Sequence, residues 1–382
     1  MPKKDTHERV ITITPSGEVK GIAPLVISAS RATDIPAFHA KWFMRRLNQG
    51  YCAWVNPFNK NQKSFISFTK CKLIVFWSKN PKPLIPYLDE ISAKGMKYYF
   101  QYTINDYENE RFEPNVPKLD NRIETFIRLS EKIGKDKVIW RYDPIILADF
   151  LSLDEILNRI AAIGEKISPY TTKLVFSFVD MLNYSKVTNN LKKYIVGAKE
   201  PDGNERLDFA QKLAGINASW KNKLELATCA EIDNLSDLGI NHNKCIDDDL
   251  IRKICYNDEK ILETYGKPSE QFRLLPNNSK QSDTLKDKGQ RKECGCALSK
   301  DIGSYNTCLH LCAYCYANHS ETAVRNNHKK LTIESESLSL DFRLAHTVGS
   351  VWRKNMNKVI LIGRLGKDPQ IRYTGKGKIE IG

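Results

Sequence analysis

Leu73–Thr103 reads LIVFWSKNPKPLIPYLDEISAKGMKYYFQYT, and its hydrophobic pattern changes twice along those residues. Leu73–Trp77 is an apolar run of β-branched and aromatic side chains, which reads as a strand. Pro83–Lys94 then carries Leu84, Leu88 and Ile91 at helical spacing. Tyr98–Thr103 returns to the strand pattern. A strand, a helix and a strand joined by short connections form a parallel pair with a right-handed crossover.

The same alternation continues in both directions, from Leu25 to about Ala230. Strand-like runs fall at Leu25–Ala29, Tyr51–Val55, Val138–Arg141, Leu174–Val179 and Leu224–Thr228. Helix-like stretches fall at Ala37–Asn48, Asn121–Ile133, Leu153–Ile167 and Glu205–Ala214. The α/β pattern, with seven strands in βα order, predicts a full or partial TIM-like (β/α) barrel, with an open doubly wound sheet as the alternative. The expected organisation is an N-terminal extension over 1–24, the barrel over 25–275, a polar linker over 276–293, a cysteine-rich cluster-binding segment over 294–318, a connecting segment over 319–355 and a distinct tail over 356–382.

Polar residues gather at or just past the predicted strand ends, where barrel enzymes carry their active sites. They are Ser28–Arg31 with Asp34, Trp77–Asn80, Arg141–Asp143, Ser177 with Asp180, and Cys229–Glu231. Any one of these reads equally well as a turn or a salt bridge, but five in register predict a shared pocket. The candidate catalytic residues are therefore Arg31, Lys79 and Arg141, as cations for an anionic group, and Asp34, Asp143 and Glu231, as acceptors of hydrogen bonds or protons.

The chain has 59 Lys and Arg against 45 Asp and Glu, a formal charge of +14, which favours nucleic acid or other anions as partners without specifying one. No apolar run of about 18 residues is present and Met1–Arg9 is charged, so no membrane association and a cytoplasmic location are expected. Cytosolic thiols stay reduced, so the ten cysteines predict metal or redox chemistry rather than a disulfide framework. Five of them lie between Cys294 and Cys315.

Cys308, Cys312 and Cys315 are spaced C-x3-C-x2-C, with Tyr314 directly before the third. Three thiolates on one tight loop can hold three irons of a 4Fe-4S cluster and leave the fourth without a protein ligand. Zinc on Cys294, Cys296, Cys308, Cys312 and Cys315, with His310 available, is the alternative, although paired C-x2-C knuckles are the usual zinc pattern and only one is present. Cys229, Cys245, Cys294 and Cys296 would suffice for a second, fully ligated cluster. Their other reading is that Cys294 and Cys296 frame the first cluster while Cys229 and Cys245 pack in the core. Cys52, Cys71 and Cys255 read as structural.

The cysteine spacing and Tyr314 resemble the signature of the radical S-adenosylmethionine superfamily. That resemblance implies S-adenosylmethionine at the open iron, release of a 5′-deoxyadenosyl radical on reduction, and an electron donor such as flavodoxin or ferredoxin. In that superfamily the cysteine loop follows the first barrel strand. Here it comes after the predicted strands and has to fold back over the barrel mouth.

Ser28–Pro36, Phe76–Pro81, Trp140–Pro144, Ser177–Asp180, Cys229–Glu231 and Cys294–Asn318 together resemble a prokaryotic family known as domain of unknown function 1848, over roughly Leu25–Asn318. The tail residues Asn357–Pro369 and Ile371–Thr374 resemble the start of bacterial single-stranded-DNA-binding proteins, which are OB folds. About 27 residues cannot complete such a five-stranded barrel, so the tail is expected to form no more than a hairpin. The function expected from these readings is a radical S-adenosylmethionine enzyme acting on an unknown substrate. The alternative is a nucleic-acid-binding protein with a structural zinc or iron–sulfur site.

Overall fold

A computed structural model of the chain describes residues 7–182, 185–195, 197–266 and 294–342, together with two short strands beyond them. The chain divides into two compact units, Met1–Phe342 and Arg343–Gly382. In the second unit the described strands, Ile371–Tyr373 and Ile379–Ile381, pair antiparallel. The linker over 276–293 and the tail stretch Asn357–Pro369 lie outside the described residues.

The first unit is built on an eight-stranded parallel sheet. Its strands are β3 (Val26–Ala29), β6 (Leu73–Ser78), β7 (Lys97–Thr103), β8 (Val138–Ile145), β9 (Lys173–Phe178), β10 (Glu225–Thr228), β11 (Ile240–His242) and β12 (Lys300–Asp301), in the order β11-β10-β9-β8-β7-β6-β3-β12. A second sheet pairs β1 (Glu8–Thr14), β2 (Gly17–Ala23), β5 (Asn59–Ser67) and β4 (Tyr51–Asn56) in the order β1-β2-β5-β4. Among the described residues the parallel sheet ends at β11 and β12, and no ring is closed.

Alternation along the strands supplies two cores. Ile74 and Phe76 of β6, with Phe100, Trp140, Leu174 and Phe176, face the helices. These are α1 (Ile35–Phe38), α2 (Ala40–Gln49), α3 (Leu88–Ala93), α4 (Leu119–Ile133), α5 (Leu153–Ile167), α6 (Ser185–Tyr194) and α7 (Gly203–Ser219). Leu73 and Val75 point the other way, with Val26, Tyr99, Ile139 and Val175. That face is covered by Ile251 of α8 (Asp248–Ile254), by Ile261 and Tyr265 of α9 (Glu259–Tyr265), and by Cys294–Ala297. Burial on both faces explains the unbroken apolar run of Leu73–Phe76, every residue of which is fully buried.

One sequence expectation changes. Tyr51–Asn56 is not a rung of the parallel sheet: it turns back at Pro57 and Phe58 and pairs antiparallel with Asn59–Ser67, whose exposed first half, Asn59–Lys63, is too polar to read as a strand. Residues 1–24 contain the β1–β2 hairpin, which joins the second sheet through β5. The segment after Asn318 folds back as well. It forms α10 (Glu321–Lys330), and Ser335 and Glu336 accept hydrogen bonds from the Trp42 indole (2.7 Å) and the Ala53 amide (2.8 Å).

Candidate functional site

The short strand β12 pairs with β3 in parallel, Asp301 opposite Ser28. The Asp301 carboxylate accepts from Ser28 Oγ (2.8 Å), Ser30 Oγ (2.6 Å) and the amides of Arg31 (2.8 Å) and Gly303 (2.9 Å). Only glycine fits at 303, because a Cβ there would lie 1.9 Å from Ser30 Oγ. Beside this knot Trp77 donates its indole N–H to Ser28 Oγ (3.0 Å), and the guanidinium groups of Arg31 and Arg141 lie 5.3 and 5.4 Å from its ring centre.

The chain leaves β12 into the loop that carries Cys308, Cys312 and Cys315. Leu311 takes a left-handed conformation (φ 56°) between the first two cysteines. The loop is pinned from two sides. Asp34, the N-cap of α1, accepts from the Ala37 amide (2.9 Å), Ser78 Oγ (2.7 Å) and the Lys79 amide (2.7 Å), and its second oxygen lies 2.8 Å from His310 Nε2. The other His310 nitrogen is 3.3 Å from the Asn115 carbonyl, and the ring packs edge-on against Phe38. Both His310 nitrogens are thus within reach of protein acceptors. His39 Nε2 holds the Thr307 carbonyl at 3.0 Å, and burial lowers the pKa of this histidine to about 4.

From the other side the β7–α4 connection braces the loop. Ala313 donates its amide to the Phe112 carbonyl (2.8 Å) and Asn115 donates its side-chain amide to the Leu309 carbonyl (2.7 Å). The Tyr314 hydroxyl donates to Glu113, which also accepts from Asn105 (3.0 Å) and Lys79 Nζ (2.8 Å). Burial opposes charge on Glu113, but Lys79 and Arg122 outweigh it and hold the carboxyl below its usual range. Glu113, Asn105 and Asp301 were not foreseen; each stands in a loop or short strand where no periodicity signals it.

Cys229 follows β10 and Cys245 follows β11, and their sulfurs lie 3.3 Å apart. Cys296 is within hydrogen-bonding reach of both Cys245 and Cys294. Arg141 Nη1 (3.0 Å) and Asn243 Nδ2 (3.2 Å) donate to Cys245 Sγ. Arg141 also pairs with Asp143, which accepts from Ser177 Oγ. Burial works against the Asp143 charge, but Arg141 and Ser177 overcome it and hold its carboxyl low.

These groups surround one cavity of about 360 Å³ at the carboxyl ends of the strands. It brings together Arg31, Asp34, Lys79, Arg141, Asp143 and Tyr314 with all seven cysteines of the two sets. Glu231 does not line it; its carboxylate accepts from the Phe178 amide (2.9 Å) instead. Lys79 and Arg141, expected as cations for an anion, are already paired with Glu113 and Asp143. Burial pushes the Cys308 thiol up to about 12 and raises Cys312 and Cys315 as well. Thiols so placed ionise when a metal cation sits beside them.

Among the described residues, the one set of three or more His, Cys, Asp or Glu ligand atoms all within 4.8 Å of one another is Asp247–Asp249. Thiolates on a single tetrahedral zinc ion stand roughly 3.8 Å apart, given Zn–S bonds of about 2.3 Å. No three of the seven cysteine sulfurs lie mutually within 4.8 Å, although those of Cys229 and Cys245 are 3.3 Å apart. No helix among the described residues is long and apolar enough to cross a membrane. The family model described as Domain of unknown function (DUF1848) matches residues 26–317, while no curated protein and no solved structure matches the chain.

Proposed function

We propose, on the premise that the chain belongs to the family described as Domain of unknown function (DUF1848), a membership that brings no activity with it, that it is a radical S-adenosylmethionine-type enzyme. The observation that carries this reading is the sheet order. The cysteine loop leaves the carboxyl end of β12, an edge strand beside β3, so it comes first around the sheet although it comes last along the chain. An open, partial (β/α) barrel with the loop after its first rung is the architecture we attach to this arrangement.

Cys308, Cys312 and Cys315 would hold a 4Fe-4S cluster with one iron left for the amino and carboxylate groups of S-adenosylmethionine. When bound and reduced by a flavodoxin- or ferredoxin-like donor, such a cluster supplies one electron to the sulfonium, giving methionine and a 5′-deoxyadenosyl radical. The chain's own residues do the positioning. Asp34 fixes the loop through His310, and Glu113 fixes Tyr314 against Lys79, whose ammonium lies 5.5 Å from the tyrosine ring centre. Phe178 and Val179 give the cavity an apolar wall suited to a nucleoside, and about 360 Å³ falls within the range of small-molecule sites. With a formal charge of +14, nucleic acid is the first substrate class to test.

Anaerobically purified, dithionite-reduced protein supplied with S-adenosylmethionine should slowly form 5′-deoxyadenosine. Cys308→Ala, Cys312→Ala and Cys315→Ala should each abolish it. An intact, reducible cluster that yields none would overturn the reading.

A further inference from the structure

We propose that Cys229, Cys245, Cys294 and Cys296 bind a second 4Fe-4S cluster whose four irons are all ligated by the chain. The inference stands apart from the function proposed for the three-cysteine loop, since it needs neither an open iron nor S-adenosylmethionine. Its first support is that separate chain segments are pinned so that their sulfurs converge. The Cys229 amide donates to the Phe176 carbonyl (2.9 Å), the Asn243 amide to Thr228 (2.7 Å) and the Ala297 amide to Ile246 (2.9 Å). The Cys245 carbonyl accepts from Tyr99 Oη (2.8 Å) and Gln101 Nε2 (2.9 Å), two side chains projecting from β7.

The second support is the polarity of the contacts to sulfur. Arg141 and Asn243 donate N–H groups to Cys245 Sγ at 3.0 and 3.2 Å, and the Ile246 amide points at Cys296 Sγ at 3.4 Å. Donors aimed at sulfur are what thiolate ligands of a cluster take, and they tune its potential. Cys71, a core cysteine, shows the opposite sense, its thiol donating to the Leu73 carbonyl at 3.5 Å. The Arg141 guanidinium also places a positive charge beside a group that four thiolates would make anionic.

The third support is that all four meet in one place: the Cys229 and Cys245 sulfurs lie 3.3 Å apart, Cys296 reaches both Cys245 and Cys294, and the four line one cavity. Assembly of the resting cluster takes up two ferrous ions, two ferric ions and four sulfides and releases four thiol protons to solvent. With no open iron, the cluster would store one electron taken from an outside one-electron reductant and would bind no substrate.

The test is anaerobic reconstitution of the full chain with ferrous iron, ferric iron and sulfide, followed by iron and sulfide analysis and electron paramagnetic resonance after dithionite reduction. Wild type should hold about eight irons per chain, and a Cys308→Ala/Cys312→Ala/Cys315→Ala variant about four, with a signal indifferent to S-adenosylmethionine. A Cys245→Ser/Cys296→Ser variant should keep about four irons with the other signal. If that variant fails to fold, the iron left in the triple variant decides. A triple variant that holds no iron, holds one zinc, or carries a Cys229–Cys245 disulfide would overturn the proposal. Absence of 5′-deoxyadenosine formation by a protein that holds eight irons would instead count against the function proposed above.

Discussion

Replacing Asp34 with Asn tests whether one buried carboxylate fastens the cysteine loop to the sheet. Its oxygens take four donors: Ala37 N–H and Ser78 Oγ on one, Lys79 N–H and His310 Nε2 on the other. An asparagine amide must turn its NH2 toward one of these pairs. Ser78 can rotate and accept, and His310 can present a lone pair by changing tautomer, but a backbone N–H, of Ala37 or of Lys79, is left facing a donor. A buried donor without a partner costs about 1–3 kcal/mol, and the bonds that remain lose their charge assistance. The sum is a destabilisation of about 3 kcal/mol, which in a unit of this size lowers Tm by roughly 4 °C. Thermal unfolding followed by circular dichroism, paired with iron analysis after anaerobic reconstitution, should show the lower Tm together with loss of iron from the three-cysteine site. An Asp34→Asn protein with unchanged Tm and full iron content would refute the claim that this carboxylate holds the loop.

Acid should weaken the fold through His39, which burial keeps neutral down to about 4 while an unfolded histidine protonates near its ordinary value of 6.5. The unfolded chain therefore binds the extra proton between those values, and stability falls as pH falls through that window. From about pH 7 to about pH 5 the loss should approach 2 kcal/mol by urea unfolding, and His39→Gln should remove most of that slope; equal slopes in the two proteins would contradict it. Deleting Met356–Gly382 should leave Tm and iron content unchanged and should reduce only salt-sensitive binding to single-stranded DNA, since this segment belongs to a separate compact unit. Loss of iron in the truncated chain would show that the cluster segment depends on it.

Much of the architecture is legible in the sequence because both faces of the parallel strands are buried. Leu73–Phe76 and Leu174–Phe176 are apolar throughout, and Leu153–Ile167 is bounded by a Ser152 cap that accepts from Glu155. The positions of Arg31 and Lys79 just past β3 and β6 follow from the same pattern, as does the three-cysteine spacing, whereas β8 runs on to Ile145 and carries Arg141 and Asp143 inside the strand. Periodicity could not reveal β11 or β12, which are three and two residues long, nor that Tyr51–Asn56 pairs with a polar partner. Long-range pairing alone decided that β12 lies beside β3, which carries the last cysteine loop to the first edge of the sheet. It likewise decided that Glu113 neutralises Lys79, that Asp34 grips His310, and that Cys229, Cys245, Cys294 and Cys296 converge across up to 67 positions of chain. Local patterns report which face of an element is buried. Which distant polar group meets it there is set by how the elements pack, and no single stretch of sequence contains that.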